Sequence, residues 1–283
     1  MIKPSTAIFL LMIIGLTVSF GQVNQDPINA DDLRKDFKIF RDSLERIHPA
    51  LYRYRSKSEM NHLLDSSYAS VKEGMTEVQL FMTLRFLLRA VGDGHASCNL
   101  PRELIRNQFQ NAKVFPLRLW FIKEKAFVYC DADEKFHAGQ EITSIDNKPI
   151  NEIRKTLFQY VLSDGNIQSS KYWNFNGSEP NFQFLYYWLY GDQSEFKISY
   201  ATKSGIVHNA IIEAAVLKNN NCFMNNRLTE NFLSLDFKSN NTAILTIKTF
   251  DMNRLNQEDI YFKNFLDSAF TGNQRKECKE ANN

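Results

Sequence analysis

The sequence lacks a dominant charge. Its 34 basic and 32 acidic side chains leave a formal net charge of +2, and no basic block interrupts the chain. That excludes the electrostatic footprint of a nucleic-acid-binding protein. Cysteine is sparse: Cys98, Cys130, Cys222 and Cys278 are widely spaced and show no zinc-like pairing. An oxidising compartment would permit disulfides among them, but spacing leaves each thiol either structural or free. No internal repeat or low-complexity tract is present. Beyond residue 22 nothing reads as a membrane span.

What is present begins with an export signal. Lys3 gives a positive start, 8–18 is an apolar run of h-region length, and Ser19-Phe20-Gly21 offers small residues for cleavage. Residues 1–22 read as a signal peptide, the alternative being an uncleaved N-terminal anchor. No cysteine follows the run, which argues against a lipid anchor. The expected location is the periplasm or the extracellular space. About 260 residues remain, enough for two domains or more.

Residues 29–105 carry helical patterning. Leu33, Phe37, Phe40 and Leu44 share one face of a first helix, with Asp31 and Asp32 at its N-terminal dipole. Pro49 restricts His48 and ends that helix, so His48 reads as a helix-end residue rather than a ligand. A second helix spans about 58–72 and stops at Gly74. The third opens with Thr76 and Gln79 at capping-box spacing. Val78, Phe81, Met82, Leu84, Leu88 and Val91 recur along it, and Gly92 ends it. Asp93, Gly94 and His95 follow on a tight turn. On spacing alone such a histidine either hydrogen-bonds a loop or serves as a catalytic group. His62, His137 and His208 show no ligand spacing with it, and no metal site is expected.

Residues 110–218 change to extended patterning. Strands are expected at 115–121 and 126–130 around Lys123-Glu124-Lys125, at 141–145 before an Asp146-Asn147 turn, and at 196–201 and 207–214 around Lys203-Ser204-Gly205. A helix over about 151–161 presents Ile153, Leu157 and Val161. The aromatic-rich stretch between Gly165 and Asp192 either lines a peptide groove or fills a core. Residues 230–270 carry strands at 233–237 and 243–247, joined by Ser239-Asn240-Asn241, and a helix from about 257 to 270 closed by Gly272. Residues 271–283 read as a disordered tail.

Gly139, Ile142, Ile145 and Asn147 resemble a PDZ-like signature, with Asp146-Asn147 where Asn-Gly is usual. Taken together, His48-Pro49, the Gly-Asp-Gly-His of residues 92–95, the PDZ-like unit and the Ala-Ile-Leu-Thr-Ile-Lys-Thr-Phe of residues 243–250 resemble the C-terminal processing (tail-specific) serine peptidases. The similarity is greatest to tricorn-like members and covers about 31–270. It implies an α+β fold: an N-terminal helical bundle, a PDZ-like β-rich domain, and the first strands and helix of an incomplete α/β catalytic domain. It places the general base at His95 and peptide contacts at Phe136 and Gly139. It implies peptide or protein C-terminal segments as partners and no cofactor. The family's nucleophile-bearing strand is not found: Gly177-Ser178 and Ser169-Ser170 lack the flanking glycines and the strand-to-helix context. The expectation is therefore a truncated member, inactive alone. The alternatives are a non-catalytic module holding protein C-termini and a metal site using His95, Asp93 and another histidine.

Overall fold

A computed structural model describes residues 27–177, 179–202, 204–223, 232–238, 242–257 and 261–280. The signal peptide expected over residues 1–22 and the turn expected at 239–241 lie outside them. The chain divides into two compact units, split between Asn225 and Asn226.

The first unit opens with three helices, α1 (Ala30–Ile47), α2 (Lys57–Ala69) and α3 (Glu77–Val91). Asn29 caps α1 by accepting the Asp31 N–H, and His48, extended before Pro49, terminates it. Ser56 with Glu59 and Thr76 with Gln79 form reciprocal capping boxes on α2 and α3. Gly92 closes α3 in the left-handed region.

The apolar surface of α3 is wider than one stripe. Val78, Phe81 and Met82 enter a core built with the sheet, and Leu80, Leu87, Leu88 and Val91 enter a second core with α1 and α2. The second core holds Leu33, Phe37, Met60 and Leu64, each at most 1% exposed. At about 1.5–3 kcal/mol for each fully buried apolar side chain, α3 belongs to both cores.

After α4 (Arg102–Asn111), a helix that the sequence pattern did not reveal, come β1 (Lys113–Val114), β2 (Arg118–Ile122) and β3 (Lys125–Cys130). The expected strand at 115–121 starts late. Val114 pairs with Ala215 of β8 (Ala215–Val216) instead, and Pro116, which has no N–H to give a ladder, separates the two pairings. Next are β4 (Glu141–Ile145), β5 (Lys148–Pro149), α5 (Ile150–Leu157), α6 (Gln168–Asn176) and α7 (Asn181–Tyr190), then β6 (Glu195–Ala201) and β7 (Val207–Glu213). The sheet is antiparallel in the order β2-β3-β4-β6-β7, with β5 on β4. Asp146 and Asn147 both take positive φ, +50° and +62°, so this pair makes the tight hairpin turn usually assigned to Asn-Gly.

The aromatic-rich stretch resolves into α6 and α7 and is mostly core. Phe175, Phe182 and Tyr186 are buried, stacked edge-on or tilted against one another and against Phe115, Phe121 and Phe196. Trp173 alone among its tryptophans points outward, 77% exposed.

The second unit holds the hairpin β9 (Leu233–Phe237) and β10 (Ala243–Ile247), then α8 (Met252–Gln257) and α9 (Phe262–Glu280). Phe232, Leu233 and Leu255 form its small core. Two expectations change here. The helix expected over 257–270 and closed by Gly272 is α9, which starts at Phe262 and continues through Gly272, and the tail expected to be disordered over 271–283 is helical as far as Glu280. Gln, Arg, Lys and Glu dominate that stretch, and all are good helix formers.

Cys130 and Cys222 form a disulfide across 92 residues, and Cys98 is a free, partly buried thiol. Closing a loop of that length lowers the entropy of the unfolded chain by an amount worth about 4–5 kcal/mol. Denaturant titration with and without reductant should therefore show a loss of several kcal/mol on reduction. The Cys130→Ala/Cys222→Ala protein should match the reduced form and be indifferent to reductant.

Candidate functional site

The first candidate is the turn after α3. Gly92 takes φ +76°, and Asp93 then closes the turn on itself, its Oδ1 accepting the His95 N–H at 2.8 Å. Asp93 Oδ2 lies 3.1 Å from His48 Nε2. The other ring nitrogen decides the tautomer. His48 Nδ1 accepts the Ala50 N–H at 3.2 Å, so the proton sits on Nε2 and is donated to Asp93. The His95 N–H first, and His48 after it, hold the Asp93 carboxyl below the usual carboxylate range.

A second loop pins the turn from the other side. Asp164 Oδ1 accepts the Gly94 N–H, and the Gly165 N–H donates to the Gly92 carbonyl, both at 2.8 Å. The Tyr54 ring lies across both glycines: a Cβ on either Gly92 or Gly165 would stand 2.8 Å from a ring carbon. Close approach as well as positive φ therefore requires glycine at these two positions.

These contacts fix the backbone of residues 92–95 and leave the His95 side chain exposed. It hydrogen-bonds no described side chain. An imidazole on a pinned turn, open to solvent, can accept a proton from a hydroxyl brought to it. Among the described residues no group of three His, Cys, Asp or Glu side chains gathers to hold a metal ion.

The peptide positions inferred from the resemblance separate. Gly139 lines an apolar groove of about 470 Å³ together with Trp120, Ile122, Phe127 and Tyr129. Trp120 and Tyr129 stack at 5.5 Å, and the Arg118 guanidinium sits 4.6 Å from the Tyr129 centroid. Phe136 does not line the groove. It is 9% exposed and packs edge-on against Tyr200, while its N–H donates to Asp131 Oδ2. The free edge of β2 is also occupied. Asn176 Oδ1 accepts the Phe121 N–H at 2.7 Å and Asn176 Nδ2 donates to the Phe121 carbonyl at 2.9 Å. A peptide cannot add as a strand at that point, so the groove offers side-chain contact.

Sequence reasoning reached His95 and Asp93 but missed Asp164, Tyr54 and Asn176. It assigned His48 only to a helix end. The structure makes His48 both the C-cap of α1 and the partner of Asp93. The one available signal was His48-Pro49, a histidine held extended at a helix terminus.

No family model matches this chain, and no curated protein matches it. Solved structures to which the chain is similar include the following three. A point mutant of CPAF aligns at a TM-score of 0.48 and 10% identity over 65% of this chain and 34% of that one. Mature CPAF aligns at 0.39 and 9% over 76% and 46%. The photosystem II D1 C-terminal processing protease aligns at 0.28 and 13% over 74% and 47%. The chain thus spans between about a third and a half of the solved chains it aligns with.

Gly92→Ala should destabilise the first unit by about 1–2 kcal/mol from the left-handed backbone alone, and by more from the clash with Tyr54. Tyr54→Ala should recover the clash component, so a double-mutant cycle by denaturant titration should give a non-zero coupling. Acid should loosen the turn. A carboxylate whose pKa is lower in the folded state contributes stability above its unfolded pKa and loses it as pH falls through its folded value, below about 4. The His95 amide resonance, followed from pH 6 downward, should shift in that window, and Asp93→Asn should abolish the shift.

Proposed function

We propose that this chain is an exported, peptide-handling protein of the C-terminal processing peptidase class, with His95 in the general-base position and the groove beside Gly139 holding apolar side chains of a peptide. The observation that carries this reading is the meeting of two motifs 45 residues apart, His48-Pro49 and the 92–95 turn, through the His48–Asp93 hydrogen bond. These are two of the four motifs on which the resemblance rests, and their contact leaves His95 on a rigid backbone with a free imidazole. The Cys130–Cys222 disulfide supports export, because such bonds persist in oxidising compartments. Among the described residues no helix is long and apolar enough to cross a membrane.

In the full reaction of this class, His95 would take the proton of a serine hydroxyl, the serine would attack a backbone carbonyl, and water would release the acyl group. The sequence contains no Gly-x-Ser-x-Gly turn to present such a serine. A positioned base contributes about 10²–10⁴-fold, whereas loss of the nucleophile of a working triad costs on the order of 10⁶. This chain by itself therefore binds peptides and does not cleave them.

The test is calorimetric titration with peptides that end in apolar residues and a free carboxylate. Saturable binding weakened by Trp120→Ala and unchanged by His95→Ala is expected, with no cleavage on prolonged incubation. Absence of saturable binding would remove the groove from the reading. Cleavage that survives His95→Ala would remove the assigned base.

A further inference from the structure

The first unit contains a cavity of about 540 Å³ lined by Arg55, Arg89, Arg154, Lys155 and Lys171, and no carboxylate lines it. The five cations come from separate places: the loop before α2, the last turn of α3, α5 and α6. None forms an ion pair among the described residues, although exposed ion pairs such as Arg41–Asp65 and Lys35–Asp32 occur elsewhere in the same unit. Their hydrogen bonds go to neutral acceptors. Arg55 Nε donates to the Ala90 carbonyl, Lys171 Nζ to the Phe158 carbonyl at 2.9 Å, and Arg154 to Asn151 Oδ1 at 2.7 Å and the Tyr172 hydroxyl at 3.1 Å. Arg89 Nε is buried with no acceptor.

Such an arrangement opposes folding. Arg154 is 8% exposed and Lys171 3%, so two cations are taken from water beside three more of the same sign. The electrostatics register the crowding. Burial and then Arg89 and Arg154 bring the Lys171 ammonium down to about 8, and burial and then Arg55 lower Arg89. Five cations around a roomy cavity that no carboxylate lines form an arrangement that a bound anion would neutralise.

We propose that this cavity binds a phosphate group, either inorganic or carried by a small phosphorylated molecule. The charge count favours phosphate over a single carboxylate. A phosphate monoester carries close to two negative charges at neutral pH and offers three strong acceptor oxygens. Arginine forks match that oxyanion geometry, and three arginines reach the cavity. Gln159 and Gln168 add neutral donors at its wall, and the rings of Phe86 and Phe158 give an apolar surface for an organic moiety. This cavity shares no lining residue with the peptide groove.

The experiment uses the full chain at fixed ionic strength, titrated calorimetrically with inorganic phosphate, pyrophosphate, a sugar phosphate and, as control, a peptide with a free C-terminal carboxylate. Thermal unfolding is followed in parallel. Saturable 1:1 binding of at least one phosphate species is expected, with a rise in the unfolding midpoint. Inorganic phosphate binding as tightly as the ester would identify the free ion as the ligand. A gain of about tenfold or more for the ester would identify a phosphorylated molecule.

Arg89→Gln separates a binding role from a structural one. It removes a charge whose Nε has no partner, so it should weaken phosphate binding about tenfold or more while raising the midpoint in phosphate-free buffer. Lys155→Gln, at an exposed position, should weaken binding without lowering the midpoint. Saturation by the peptide but by no phosphate species would overturn the assignment. So would phosphate binding unaffected by both variants, or an Arg89→Gln midpoint that falls in phosphate-free buffer.

Discussion

Burial of α3 on two opposing faces is the constraint on which the first unit depends. Met82 and Phe81 enter the larger core, where Phe81 meets Trp188 of α7 edge-on at 5.3 Å, while Leu87 and Val91 enter the core shared with α1 and α2. Rolling the helix to improve one core would empty part of the other, and close-packed interiors do not absorb such a change. The direction in which the helix ends is therefore fixed from both sides. The Gly92 turn inherits that fixed direction, and the contacts from Asp164 and His48 act on a backbone already aimed.

The same helix end delivers two different chemistries. Arg89, in the last turn, points into the basic cavity, and His95, four residues past the end, points to solvent. Both depend on the loop that follows α5. Asp164 and Gly165 in that loop hold the histidine turn, and Phe158 and Lys171 on either side of it line the cavity.

Local chemistry was legible in the sequence wherever neighbours in the chain make the structure. The Thr76–Gln79 capping box, the Gly92 stop, the hairpins at 233–247 and the turn at Asp146-Asn147 are all short-range events with residue-specific causes. His95 was legible for the same reason, since a glycine-flanked turn after a strong helix is visible in a few letters. What surrounds it was not. Asp164 reaches Gly94 across 70 residues and Asn176 reaches Phe121 across 55, and neither contact leaves a local trace. The five cations of the cavity left no local signal, because they come from four separate stretches of the chain. The aromatic stretch at 165–192 was ambiguous because its apolar density does not distinguish a groove from a core, and only the packing of α6 and α7 against the sheet decides it. The stretch after Gly272 was misjudged because polarity was read as disorder, although its residues have high helix propensity.

Asn176 has a consequence for how this protein fails under stress. Its side-chain amide presents one acceptor and one donor to Phe121, as a neighbouring strand's peptide group would, so a helix supplies the edge protection that sheets usually obtain from charge or proline. The solubility of the sheet is thereby tied to the integrity of α6, a helix of only 9 residues with no side-chain N-cap. Short uncapped helices are among the first elements to open on warming. Once α6 lifts, β2 becomes a bare template beside the exposed Trp120 and Ile122, and intermolecular strand pairing can begin while the rest of the sheet is still folded. Self-association would then set in ahead of global unfolding, and its onset would be governed by one amide side chain.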